Sequence, residues 1–261
     1  MKELWAGAEV GWTIVVEDAP GLALERLLAR DEELLAAGAP AVHVGTFPSA
    51  VVSFGVSDHP SSALLRRIEG LGLPVVRRTS GGTALLHLRG DVHWSLVLPR
   101  DHPLAGRSFV RNFGPLGEGW RTFLGRRGIE VAWGKAPGLR EEYCLLSARG
   151  EVLLGSGRAF GGASQHATSR ALLHHGIVSS RLDRPLLSTL FDLRSSDTER
   201  LTSLEELGLP PGPIDLPALA RDLGRAVGAD PLATLKRGER VGGSPGDDKR
   251  VSGAGPSGPL G

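Results

Sequence analysis

Cysteine is almost absent from this chain: Cys144 stands alone among 261 residues. A lone thiol excludes an internal disulfide and any cysteine-built metal cluster, and it suits a reducing compartment. There is no charge excess either. A net charge of +1 argues against a nucleic-acid surface, which calls for a basic patch or stripe. No apolar run approaches the ~18 residues of a membrane span, and the opening Met1-Lys2-Glu3-Leu4 lacks the apolar core of a secretory signal. What remains is ordinary globular material, with 41% hydrophobic and 23% charged residues, enough for one large domain or two modest ones. The expectation is a cytoplasmic enzyme that binds neither nucleic acid nor membrane.

Periodicity gives an α/β alternation. Residues 11–17, 41–45, 51–54, 75–77, 84–88, 93–98, 129–133, 151–154, 158–162 and 172–179 have the short, β-branched-rich look of strands. Residues 22–36, 61–71, 185–193 and 216–227 carry apolar side chains at helical spacing, and 108–127 is a helix weakened by Gly114-Pro115 and Gly117. From Gly238 onward glycine, proline, serine and charge dominate. Such a segment buries too little to offset its ordering entropy, so 1–237 is expected to be the folded domain and 238–261 a disordered tail.

The most informative stretch is Arg77-Arg78-Thr79-Ser80-Gly81-Gly82-Thr83-Ala84-Leu85-Leu86-His87. An apolar strand delivers the chain into a glycine loop flanked by arginines, and a second strand leaves it. Glycines permit close backbone approach and positive φ. Successive N–H groups of such a turn can cradle an anion, and arginine offers planar, bidentate donors to carboxylate or phosphate. A solvated hairpin turn carrying two arginines would look the same.

This stretch resembles the RR-x-S/T-G-G-x-A-V-x-H loop of the lipoate–protein ligase A and octanoyltransferase family, within the biotin/lipoyl ligase superfamily. The resemblance continues in family order over roughly residues 20–230. Leu27 to Leu35 with Asp31-Glu32 is similar to the first helix, and Val51-Val52-Ser53-Phe54-Gly55 to the S-x-G strand. His93-Trp94-Ser95-Leu96 is similar to the strand after the loop, and Gly157-Arg158-Ala159-Phe160-Gly161-Gly162-Ala163-Ser164-Gln165 to the G-x-K-x-x-G-x-A/S-Q segment. Leu173-His174-His175-Gly176 resembles the H-G strand, and Leu201-Thr202-Ser203-Leu204 the opening of a late helix. The implied fold is a mixed sheet with helices on its outer face. Neither a P-loop nor a GRGRxxR run is present, so a P-loop is unsupported and biotin transfer disfavoured.

The resemblance implies acyl transfer. Cys144 lies fifteen residues before Ala159, close to the spacing at which one octanoyltransferase branch carries its nucleophilic cysteine. Its thiolate would take an octanoyl group from acyl carrier protein. A lysine of a lipoyl domain, or of the glycine-cleavage H protein, would then receive it. Arg77, Arg78, Ser80, Gly81, Gly82 and His87 would frame the acyl site. Gly161 and Gly162 would admit the chain, and His87 and His175 are candidate bases. No cofactor is then required. An ATP-dependent lipoate ligase with Mg²⁺ is one alternative reading, and a binding protein without turnover is another. The second alternative arises because Ala159 occupies the family's lysine position, with Arg158 or Lys135 as stand-ins. Trp94 could wall an acyl tunnel, and Asp91 looks like a turn residue. His166, His174 and His175 lack a carboxylate or cysteine at zinc spacing, so no metal site is expected.

Overall fold

The computed structural model describes residues 11–17, 24–106, 109–147, 151–210, 212–228 and 235–237. The expected tail at 238–261 lies outside them. In chain order the elements are β1 (Thr13–Glu17), α1 (Leu24–Ala37), β2 (Ala41–Thr46), β3 (Val51–Phe54), α2 (Ser62–Gly70), β4 (Val75–Arg77), β5 (Leu85–His87), β6 (Val92–Pro99), α3 (Phe109–Gly125) and β7 (Val131–Lys135). A 3-10 turn (Cys144–Leu146) follows, then β8 (Glu151–Gly155), β9 (Arg158–Ala167), β10 (Ala171–Val178), α4 (Arg184–Phe191), α5 (Ser195–Thr198), α6 (Leu216–Ala226) and β11 (Leu235–Arg237).

The strands form an eight-stranded sheet, in the order β11-β1-β2-β6-β10-β9-β8-β7, and a three-stranded sheet, β4-β3-β5. Pairing is parallel for β11-β1-β2 and antiparallel from β2 to β7, so the large sheet is mixed, as expected. The helices are not confined to one outer face. On one side α3 and α6 pack against each other and on β7, β1 and β2, closing a core around Trp94, Leu96, Leu98, Trp120 and Leu223. On the other side α1 crosses β10, β6 and β2. Beside it a second core fills the space between the small sheet and β8–β10, with Phe54, Leu85, Tyr143, Val152 and Ile177.

Central strand β6 shows why. Its side chains alternate, Val92, Trp94, Leu96 and Leu98 against His93 and Ser95, yet all are buried. Alternation ordinarily marks one wet face. Here the polar face is dry because α1 lies over it.

Candidate active site

The small sheet positions the glycine loop. Arg78 N–H donates to Phe54 O at 2.8 Å and Val56 N–H to Ser80 O at 2.9 Å, which ties the loop to the end of β3. A Cβ on Gly55 would sit 2.1 Å from Gly82 O, and Gly82 itself has φ +98°; both positions require glycine. The chain leaving the loop bridges to the segment carrying the thiol. Ala84 pairs with Tyr143, and Cys144 N–H donates to Ala84 O at 2.9 Å. Tyr143, Leu145 and Leu146 are fully buried, with Tyr143 stacked on Phe191. Three anchored neighbours leave Cys144 fixed at the mouth of its 3-10 turn.

Between the two sheets lies a cavity of about 420 Å³, the size of a small-ligand site. Leu28, Phe47, Leu85, Phe113, Ala163 and Ile177 provide its apolar lining, and Asp58, Arg78, His87, His93, Cys144, Glu151, Ser164, Gln165 and His175 its polar groups.

Arg78 is buried beside the thiol: a Cβ on Gly82 would be 3.2 Å from its Nη2 and 3.6 Å from Cys144 Sγ. Its guanidinium donates to Ser53 O, Gly81 O and Thr83 O at 3.0–3.2 Å and to Ser53 Oγ at 2.5 Å. All four acceptors are neutral, so among the described residues no carboxylate is hydrogen-bonded to this buried cation, and Asp58 on the cavity wall meets it through charge alone. Burial pushes the Cys144 thiol above its ordinary value; the Arg78 charge opposes that rise without cancelling it. The resting group is therefore a thiol. His87 stacks on Phe47 at 4.2 Å and shares a 2.6 Å hydrogen bond with Ser53 Oγ through Nε2. Its Nδ1 is buried and has no hydrogen-bond partner among the described residues. Burial and the neighbouring Arg78 charge hold His87 well below the usual imidazole range, so it is a neutral base.

A second constellation crosses the large sheet. Register places His43, Ser95, His175 and Ser164 in one row across β2, β6, β10 and β9. Asp31 of α1 lies over the row. Its carboxylate accepts from His175 Nδ1 at 2.7 Å, Ser95 Oγ at 2.7 Å, His43 Nδ1 at 2.9 Å and His93 Nε2 at 3.2 Å. Burial alone would raise this carboxyl, but the His93 charge and the three histidine hydrogen bonds hold it well below the carboxylate range. Burial likewise disfavours a charge on His43. Its bonds to Asp31 and Glu17 win, raising its pKa. Donor atoms of Asp31, His93 and His175 come within 4.8 Å of one another, and in the structure they hydrogen-bond among themselves.

Of the expected site residues, Cys144, Arg78, Gly81, Gly82, His87, Gly162 and His175 line the cavity. Ser80 stands just behind the wall, bonded to Ser164 and His175. Three positions differ from expectation. Arg77 is turned to the surface, where it binds Gly55 O and Asp58 O and holds that loop. Gly161 faces Ile177 O, which a Cβ would meet at 2.6 Å, so it serves strand packing. Arg158 points outward to Glu206.

Lys135, the other stand-in, is an exposed partner of Glu151. Ala159 is in the core, bridged to Leu201. Trp94 belongs to the opposite face of β6 from His93. Asp91 is a turn residue, accepting from Leu88 N–H and Ser180. Asp58 and Glu151 were not expected, and Asp31 and Ser164 stood in family-like segments without an assigned role. Asp31 had a signal: it falls four residues after Leu27 and four before Leu35, on the buried face of α1.

An α/β domain with a thiol and a buried arginine in a cavity of small-ligand size is the class that fold and site define. The model of the lipoyl protein ligase A/B catalytic domain matches residues 21–216, and the chain belongs to that family. It is 30% identical over 195 residues to the octanoyl-[GcvH]:protein N-octanoyltransferase of Kyrpidia tusciae, covering 66% of this chain and 62% of that protein. It is 27% identical over 176 residues to octanoyltransferase LipM of Carboxydothermus hydrogenoformans, covering 64% and 65%. The chain thus spans less than two thirds of these curated relatives. Lipoate-protein ligase A bound with ATP superposes with a TM-score of 0.68 at 19% identity over 88% of this chain and 90% of that one. A putative lipoate protein ligase from T. acidophilum with bound lipoic acid gives 0.66 at 18%, over 87% and 88%. At these identities the likeness is one of fold.

Proposed function

We propose that this chain is an acyltransferase that carries an octanoyl group as a thioester on Cys144 and passes it to a lysine amine of a lipoyl domain or H protein. The observation that carries this reading is the thiol set beside a buried Arg78, whose hydrogen-bond acceptors are neutral, in a cavity of small-ligand size. The donor is octanoyl acyl carrier protein. His87 Nδ1, buried and without a hydrogen-bond partner among the described residues, receives the thiol proton. Arg78 supplies positive charge first to the thiolate and then to the carbonyl oxygen, standing in for the family lysine absent at Ala159. Exchange of one thioester for another is nearly neutral and amide formation is downhill, so the transfer needs neither ATP nor metal. A reducing cytoplasm would keep the lone thiol free. The reading takes 1–237 as one catalytic domain, with 238–261 a tail outside it.

Intact-protein mass spectrometry after incubation with octanoyl acyl carrier protein, without ATP, tests this. A hydroxylamine-labile octanoyl adduct should form on the wild type and not on Cys144→Ala. An adduct on neither sinks the proposal, and acylation only with ATP and Mg²⁺ would point to ligase chemistry instead.

A further inference from the structure

The thiol chemistry leaves unused a second chain of groups that reaches the same cavity. Ser164 of β9 is half-buried at the cavity wall. Its Oγ lies 2.7 Å from Ser80 Oγ, and Ser80 Oγ lies 2.5 Å from His175 Nε2. His175 Nδ1 lies 2.7 Å from Asp31 Oδ2. Protons can be assigned along this chain. A carboxylate only accepts, so His175 Nδ1 carries the proton toward Asp31 and Nε2 keeps its lone pair for Ser80. Ser80 therefore donates to His175 and accepts from Ser164, which leaves Ser164 Oγ free to act on a cavity ligand. Nucleophile, bridging hydroxyl, base and orienting carboxylate stand in the order that activates a serine. Ser80 itself is only 1% exposed, which makes it the bridge and Ser164 the reactive group. Fastening α1 to the sheet does not explain the outer pair, since Ser95 and His43 already bind Asp31.

We propose that Ser164 is a second acyl-accepting nucleophile of this cavity, activated through Ser80 by His175 and Asp31, and that the chain hydrolyses medium-chain acyl esters and thioesters without Cys144. Ser164 Oγ attacks the acyl carbonyl. An O–C bond forms, and the ester C–O or thioester C–S bond breaks. The Ser164 proton moves to Ser80 and the Ser80 proton to His175 Nε2; the imidazolium returns a proton along the same path to the departing oxyanion or thiolate. Water then attacks the oxyester, loses its proton by that route, and releases the fatty acid and free Ser164.

The test uses the full Cys144→Ala chain, so its outcome is separate from that of the thiol reading. With p-nitrophenyl octanoate this protein should give a burst of p-nitrophenol and an octanoyl adduct mapping to Ser164. The adduct should survive neutral hydroxylamine, as an oxyester does and a thioester does not. Adding Ser164→Ala should abolish the adduct, and adding Ser80→Ala should lower turnover roughly 100-fold or more, the scale of a lost general base. Ser164→Cys in the same background guards against an alanine variant that fails to fold: its adduct should form and become hydroxylamine-labile. A folded Cys144→Ala protein with no adduct, or with the adduct on another residue, overturns the proposal.

Discussion

Arg78 is where charge and burial conflict most directly. A guanidinium held by Ser53, Gly81 and Thr83 is expensive to bury, and an anion forming beside it relieves that cost. Because its charge opposes the burial-driven rise of the Cys144 thiol, Arg78→Ala should move the midpoint of iodoacetamide alkylation to higher pH and slow alkylation at pH 7. Arg78→Lys keeps the charge but cannot reach three carbonyls with one planar fork. Octanoyl transfer in Arg78→Lys should fall by roughly 100-fold, as when one carbonyl-binding donor is lost. A wild-type rate in that variant would remove Arg78 from the chemistry.

Asp31 makes the companion case for stability. Its folded pKa is depressed, so its contribution is fully present above about pH 4, the unfolded carboxylate value, and is lost as pH falls through the folded pKa. Asp31→Asn leaves His43 facing Glu17 alone and should cost about 3 kcal/mol at pH 7. By urea unfolding, the gap from wild type should narrow toward acid; a gap that stays constant with pH would mean the carboxylate charge is not what matters. These residues also mark how far the site could be read from sequence. Arg78, His87 and Cys144 were visible because their types are unusual in their settings. Ser164 was legible only as a member of the family-like segment 157–165, and its partners His175 and Ser80 had to wait for strand register and tertiary contact.

Most elements were legible to within a few residues, because α1, α2, α4 and α6 each carry one apolar stripe and the strands are short and bounded by turns; α5 and β11 were too short to show, and β9 runs five residues past its expected end. The weakness expected in 108–127 did not materialise: α3 runs unbroken through Pro115. The residue before a proline is crowded in helical conformation through its Cβ, and Gly114 has none. Gly117 and Gly119 are contact points rather than breaks. A Cβ on Gly117 would strike the Trp133 indole at 1.4 Å, and one on Gly119 the Leu223 backbone at 2.5 Å. Gly117 and Gly119 thus serve the close approach of the helix to β7 and α6. Gly119→Ala should cost about 1–3 kcal/mol, the range for overpacking, since a backbone cannot swing aside. Gly70→Ala, at the end of α2 with nothing within 4 Å of the added carbon, should instead stabilise by about 0.5 kcal/mol. Thermal melts of the two variants decide this, and equal shifts would contradict the packing account.

At the scale of the whole molecule, sequence order could not show that the strands divide between two sheets. β3, β4 and β5 are shorter than most strands of the large sheet, but nothing in their mostly apolar sequences assigns them to a separate one, and only tertiary pairing separates them. That separation makes the cavity. The small sheet presents the glycine loop, and the large sheet presents His175, Ser164 and Gly162 across the gap. Residues of the second core line the space, including Phe47, Leu85, Cys144 and Ile177, and Ala163, packed against the first core, reaches the same wall. A ligand there should bind both sheets together. Octanamide, which matches the acyl chain and cannot be transferred, tests this without chemistry. At 100 times its dissociation constant it should stabilise by about 2.7 kcal/mol, a rise of roughly 5–10 °C in the melting temperature of a domain this size. Hydrogen exchange should slow in β3 and β5 as well as in β9 and β10. Protection confined to one sheet would mean that the ligand sits on one wall, and that the gap between the sheets is not where the acyl chain lies.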